Sequence, residues 1–400
     1  MANRVVRVTQ QGVGGRLGGS IKGAIVGVVL AVAAVPLLFW NEGRAVKRAR
    51  TLAEGAGKVV SVPASTVDAA RDGGLVHTSG QATTDETLRD PMFGVEEQSA
   101  LALERRVEMF QWVQREDRKE RKKLGGGTET VTTYTYATEW QGSPVDSASF
   151  EETSGHENPS FPFEGETWRA SDVRLGAFHL APELAGDLDK DEPIVVTTAH
   201  LERVDPTLRS RLTVADGGFY LGDATGSPKV GDVRVRFAAV RPAAASVVAA
   251  QRGSRLEPYH TSAGGDIALV SYGSKSADEM FTAARTANTT FTWVLRLVGF
   301  VLLFVGIRSL LRPLEVAADV IPILGRLVGG GLSLAAFLIA VPVTLVTIAS
   351  GWIFYRPVVG IVLIAGAVAS VVWLWRRSRK ATAATAPPMF VPPPPPAPAS

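Results

Sequence analysis

Apolar and polar positions follow two different rhythms along this chain. Four long stretches, 23–40, 291–311, 332–350 and 357–375, are almost without charge. A helix needs about 20 apolar residues to cross a hydrocarbon layer of about 30 Å, and each stretch is near that length. Three of them fall in the last 110 residues, which predicts a membrane bundle rather than buried core helices. Between the first and second stretch the period shortens to two. "RRVEMFQWVQRE" sets Val107, Met109 and Val113 on one face and Phe110 and Trp112 on the other. Both faces carry apolar groups, as in a strand covered on both sides. "TVTTYTYATEW" resumes the alternation after the charged, Gly-rich "DRKERKKLGGG", so the two predict a long β-hairpin. Further strands are predicted in "GKVVSV", "GGLVHTSGQAT", "PIVVTTAHL", "GDVRVRFAAV" and "DIALVSYG". Helix signals are "TLAEGAG" and "SADEMFTAARTANTTFTW", which opens on a Ser-x-x-Glu capping box.

The fold class expected is therefore an α+β membrane protein, four transmembrane helices with a large, mostly β domain inserted between helices 1 and 2. The segments are 1–22, N-terminal; 23–40, first crossing; 41–290, β domain; 291–311, second crossing; 312–331, connector; 332–350, third crossing; 357–375, fourth crossing; and 376–400, a Pro-rich tail. Orientation follows from Lys and Arg near the helix ends. Around the first crossing they balance: Arg4, Arg7, Arg16 and Lys22 before, Arg44, Lys47, Arg48 and Arg50 after. Arg308, Arg312, Arg326, Arg376, Arg377, Arg379 and Lys380 then outweigh Arg285 and Arg356. Both termini are expected in the cytoplasm and 41–290 outside it. A cleaved signal peptide is the rival for the first stretch, with "AVAAV" as its processing site. Cleavage there would leave an apolar segment at the lower limit for such signals, so a retained anchor fits better.

Aromatic residues mark the expected interfaces: Trp40, Trp293, Trp352, Tyr355, Trp373 and Trp375. Arg296 lies one turn inside Trp293, where snorkelling to the headgroups is expected. The membrane-interface set is thus Trp40, Arg296, Trp352 and Trp375. Gly15, Gly19, Gly23 and Gly27 recur every four residues. Of these, Gly23 and Gly27 lie within the crossing, where a neighbouring helix could approach closely. The connector "RPLEVAADVIPILGRLVGGG" reads as an amphipathic interfacial segment broken near Pro322.

Composition narrows the chemistry. The chain has no Cys, which excludes disulfides, thiolate catalysis and Cys-ligated metal sites. A formal net charge of +3 argues against nucleic acid as a partner. His77, His156, His179, His200 and His260 show no helical ligand spacing, and neither a G-x-S-x-G elbow nor a Walker loop occurs. No catalytic, cofactor-binding or metal residue is therefore named, and no cofactor is expected. The run 116–123, "EDRKERKK", reads as a solvated hairpin tip. The tail "PPMFVPPPPPAP" reads as polyproline II or a disordered end.

Ten stretches carry a further signal: "NEGRAVK", "LAEG", "GGLVHTSG", "LRDPMFGV", "RRVEMFQWVQ", "TYTYATEW", "GHENPS", "GDVRVRF", "QRGSRLEPY" and "GWIFYRP". In this order and spacing the chain resembles the transmembrane protein 43 (LUMA) family, from about residue 38 to about residue 376. The resemblance implies four crossings and a large non-cytosolic domain, with no established catalytic residues. Animal members sit in the endoplasmic reticulum and inner nuclear envelope and associate with other membrane proteins. The Gly-rich start and Pro-rich tail depart from that pattern. The lack of Cys and the Ala, Gly, Val and Arg bias point to a bacterial member in the cytoplasmic membrane. The expected role is a non-catalytic scaffold that organises membrane proteins or lipids, as a homo-oligomer. A channel formed by several copies and a membrane-surface enzyme with an unrecognised site are the alternatives.

Overall fold

The computed structural model describes residues 4–123, 126–319 and 322–357, the stretch 322–327 as backbone alone. Three long helices dominate it: α1 (Val13–Lys58), α2 (Ala277–Ala318) and α3 (Pro322–Tyr355). All three are long and apolar enough to cross a membrane. The fourth apolar run, 357–375, lies outside the described residues except for its first, as do Trp375 and the tail 376–400. α2 opens on the expected capping box: the Ser276 hydroxyl accepts from the Glu279 amide, and the Ser276 amide donates 2.7 Å to the Glu279 carboxylate. α1 outruns its apolar stretch at both ends, because "NEGRAVKRARTLAEGAGK" has nothing to stop a helix. The 312–331 connector shrinks in the same way. α2 runs on to Ala318 and α3 begins at Pro322, whose fixed φ suits a first helical turn.

α1 and α2 pack antiparallel, and their closest approach is made by glycines. A Cβ on Gly27 would lie 2.6 Å from the Gly306 carbonyl oxygen, and one on Gly306 would lie 2.7 Å from the Gly27 carbonyl oxygen. Each glycine is the space that the other backbone occupies. Gly23 faces open space. Ala34, Leu303 and Ala340 close the seam among the three helices.

The β domain is built from β1 (Arg4–Gln11), β2 (Leu75–Thr83), β3 (Ala102–Lys122), β4 (Thr128–Gln141), β5 (Leu212–Ala215), β6 (Gly218–Leu221), β7 (Val233–Val240), β8 (Ala243–Arg252) and β9 (Leu269–Tyr272), with shorter strands between. One sheet runs in the order β1-β4-β3-β7-β6-β5. In a second sheet β8 pairs with both β2 and β9. The chain passes from one sheet to the other across Arg241 and Pro242, between β7 and β8. Phe93, Phe163, Phe219 and Phe237 fill the core against the first sheet, with Phe93 stacked 5.6 Å from Phe219. Leu175, Phe178, Val247 and Leu256 fill the second core. A third core joins the domain to the helices: Leu52 of α1 and Met280 and Phe281 of α2 pack on Leu75, Val248 and Ile267.

Two expectations change. Only the first two residues of "PIVVTTAHL" are in a strand, Glu192–Ile194; Thr197 then caps a short helix, Thr198–Leu201. The segment 1–22 does not stand apart from the domain, because Arg4–Gln11 adds to the edge of β4 with Val5 opposite Tyr134 and Val8 opposite Val131. β3 and β4 are correspondingly longer than their apolar alternation. Beyond Trp112 the pair leaves the domain as a ribbon, to which β1 adds a third strand. The tip of this arm reaches the far end of the helices. Lys122 donates to Asp319 at 2.8 Å and to Glu315 at 3.3 Å, and Arg16 donates to Asp319 at 2.6 Å. At about 3.3 Å per residue, Trp112 to Lys122 spans roughly 30 Å.

Because the chain has no native Cys, the β1–β4 pairing can be tested by crosslinking. Val5→Cys with Tyr134→Cys, in native membranes under mild oxidation, is expected to give an intramolecular disulfide seen as a gel shift reversed by reductant. A Val5→Cys, Gly253→Cys pair, far apart in sequence and sheet, is expected to give none.

Candidate functional site at the domain end of the helices

A buried polar cluster sits at the domain end of the three helices. It is built from two short sequences that lie far apart in the chain, "NEGR" (41–44) on α1 and "GWIFY" (351–355) on α3, with α2 between them. Asn41 and Glu42 are fully buried or nearly so. The Glu42 carboxylate receives Arg296 Nε at 2.7 Å, Arg296 Nη2 at 2.8 Å and Trp352 Nε1 at 2.8 Å. The pair is bidentate and well shielded, with side-chain exposures of 13% for Arg296 and 3% for Glu42. The Arg296 guanidinium also lies 4.7 Å from the Trp293 ring centroid and 5.8 Å from that of Trp352. Paired and sandwiched in this way, Arg296 is anchored between helices rather than reaching freely to headgroups.

The neighbouring residues extend the joint. Asn41 Nδ2 donates to the Thr292 carbonyl at 3.0 Å, and Asn288 Nδ2 donates to the Ala45 carbonyl at 3.1 Å. Arg44 donates to the Asn288 side-chain oxygen at 3.0 Å and to the Thr292 hydroxyl at 2.9 Å. Gly43 admits the ring of Tyr355: a Cβ there would lie 2.5 Å from Tyr355 Cζ. Arg50 donates to the Tyr355 carbonyl at 2.8 Å, closing the end of α3. One sequence motif thus ties α1 to both other helices: Asn41 and Arg44 hold α2, Glu42 takes Arg296 of α2 and Trp352 of α3 together, and Gly43 receives α3.

Of the other sequence candidates, Trp40 is 56% exposed on the outer surface of α1, while Trp352 turns inward to Glu42. Glu42 was missed from the sequence. It stands two residues past Trp40, where the pattern reads as water, and its partner is more than 250 residues away. Its signal was Arg296 itself, a charge one turn inside an apolar stretch that calls for a counter-charge nearby.

The histidines serve separate roles. Ser61 Oγ lies 3.0 Å from His77 Nδ1, and His77 Nε2 lies 2.8 Å from the Lys275 carbonyl. His156 stacks on Tyr136 at 4.0 Å. His179 Nδ1 lies 2.6 Å from Asp172, and this contact together with Arg174 holds the Asp172 carboxyl below its ordinary range. Among the described residues no group of three or more His, Cys, Asp or Glu is placed to hold a metal ion.

The family model described as Transmembrane protein 43 matches residues 109–357, which takes in the α2 and α3 parts of the joint. The chain belongs to the transmembrane protein 43 family. It is 36% identical over 367 residues to rat Transmembrane protein 43, covering 88% of this chain and 90% of the relative. The human protein is 36% identical over 342 residues, covering 82% and 83%. The Drosophila melanogaster homolog is 32% identical over 362 residues, covering 87% and 93%. These are animal proteins and lend no support to a bacterial source. No solved structure matches. Membership of a family of transmembrane proteins agrees with three helices whose apolar faces remain open.

Breaking the buried pair is expected to cost about 3–5 kcal/mol, because removing one partner strands the other charge. Arg296→Ala should therefore lower the melting temperature in detergent markedly. Joint replacement by Glu42→Leu and Arg296→Met should recover most of the loss. Gly43→Ala should also destabilise, and Tyr355→Ala added to it should relieve the clash; a Gly43→Ala chain melting like the wild type would contradict the packing.

Proposed function

We propose that this family member is an integral membrane scaffold, non-catalytic and self-associating, that organises membrane proteins or lipids. The observation that carries the reading is the division of its surfaces. Val29, Val32, Leu297, Leu338, Leu345 and Val346 are all exposed on the helices. Lipid and other membrane helices are the natural cover for such faces. The buried polar groups at the joint, in contrast, are largely spent on one another, as befits a fixed junction rather than a reaction centre.

The charged arm supports self-association. Arg115, Glu116, Asp117, Arg118, Lys119, Glu120 and Arg121 are exposed along it or nearly so, on both faces. The arm covers about the depth of a hydrocarbon layer, where such charges are not tolerated against lipid. The balance of positive charge favours cytoplasmic termini with the body of 41–290 on the opposite face; the arm, itself part of 41–290, reaches back to the terminal end, where Lys122 and Arg16 share Asp319. Packing of arms between copies keeps their charges in water. The same feature favours a second reading, an aqueous pathway lined by arms from several copies.

Chemical crosslinking of the full chain in native membranes tests the scaffold. Self-adducts through Lys119 or Lys122, together with adducts to integral membrane proteins, are the expected result. Recovery of monomer alone would refute it. Reconstituted chain that conducts ions above protein-free bilayers would favour the pathway instead.

A further inference from the structure

Beside the Glu42–Arg296 joint a groove of about 440 Å³ opens to the surface between the three helices. It is lined by Glu42, Trp293, Arg296 and Trp352 at the joint and by Arg285 of α2 and Arg356 just past α3. Arg296 is neutralised by Glu42. Arg285 and Arg356 are exposed, and among the described residues neither side chain has an acidic partner. Two uncompensated guanidinium groups thus face one groove at the end of an apolar bundle. The Trp293 ring, 63% exposed, stands at the level where an interfacial aromatic sits. Just below, exposed Leu297 and half-buried Phe300 and Phe304 follow Trp293 at helical spacing and give an apolar surface along the same side of α2.

We infer that this groove binds the phosphate of an anionic phospholipid, with the headgroup between Arg285 and Arg356 and the acyl chains running down α2 past Trp293. Guanidinium groups suit phosphate because they offer paired N–H donors to its oxygens. The continuous apolar track below the cations is what a lipid needs and a free anion does not. Basic pockets between helices near the membrane surface are a recurrent way of holding such headgroups. Thr289, also in the groove wall and exposed, offers a hydroxyl oxygen that can accept from the glycerol moiety. This site rests on the membrane reading above, but not on self-association or protein partners.

The test uses the full purified chain alone in detergent. Native mass spectrometry is run with added phosphatidylglycerol or phosphatidylcholine, and again with excess glycerol phosphate. The expected result is retention of phosphatidylglycerol at least fivefold over phosphatidylcholine, lost in Arg285→Gln with Arg356→Gln while the melting temperature stays within a degree or two of the wild type. Glycerol phosphate should not displace the lipid. Equal retention of the two lipids, or an unchanged preference in the double variant, would overturn the assignment. Displacement by glycerol phosphate would overturn it as well, in favour of a free-phosphate site. Because no partner protein is present, failure here leaves the crosslinking outcome untouched, and failure there leaves this one untouched.

Discussion

The ion pair between Glu42 and Arg296 is the interaction on which the rest of the architecture turns. Two opposite charges at the edge of an apolar bundle are costly to desolvate apart, and they are held here by two N–H···O bonds to each other and a third from Trp352. That geometry fixes the rotation of α1 against α2, and Trp352 fixes α3 to both. Once the rotation is set, Gly27 meets Gly306 about four turns away along α1 and about three along α2, and Leu52 meets Phe281 on the other side of the joint. The polar pair supplies register, and the apolar and small-residue contacts supply the close packing that follows from it.

The fold was legible in the sequence wherever a local pattern carried it. Three of the four apolar runs became helices, the capping box at Ser276 began α2, and the alternation around Phe110 and Tyr136 became the long hairpin. What escaped reading depended on tertiary context. β8, "AAASVVAAQR", is rich in Ala, a poor strand former, yet it lies at the centre of the second sheet with Val247, Val248 and Ala249 fully buried. Its small side chains suit a strand flanked by β2 and β9 and packed on both faces. β1 was invisible for a different reason. "RVVRVTQQ" is a plausible strand only when an edge is available to receive it, and that edge lies more than 100 residues away.

The candidate site divides in the same way. Trp40, Arg296 and Trp352 could be named from position along the apolar runs. Asn41, Glu42 and Gly43 could not, because their roles exist only once α2 and α3 are alongside. The motif "NEGR" belongs to the family likeness, and the structure supplies its physical content: an amide and a guanidinium for α2, a carboxylate shared by α2 and α3, and an absent side chain for α3.

The third core has a mechanical consequence. α1 passes from the apolar bundle into the domain without a break, and Leu52, Met280 and Phe281 bind that extension to the second sheet. The helix pair and the sheet therefore share one core on the domain side of the joint. Helices adjust to a thinner or thicker bilayer by tilting. Here any such tilt must swing the whole β domain through the same angle, so that the local thickness of the membrane is expressed as the attitude of a protein surface tens of ångströms away.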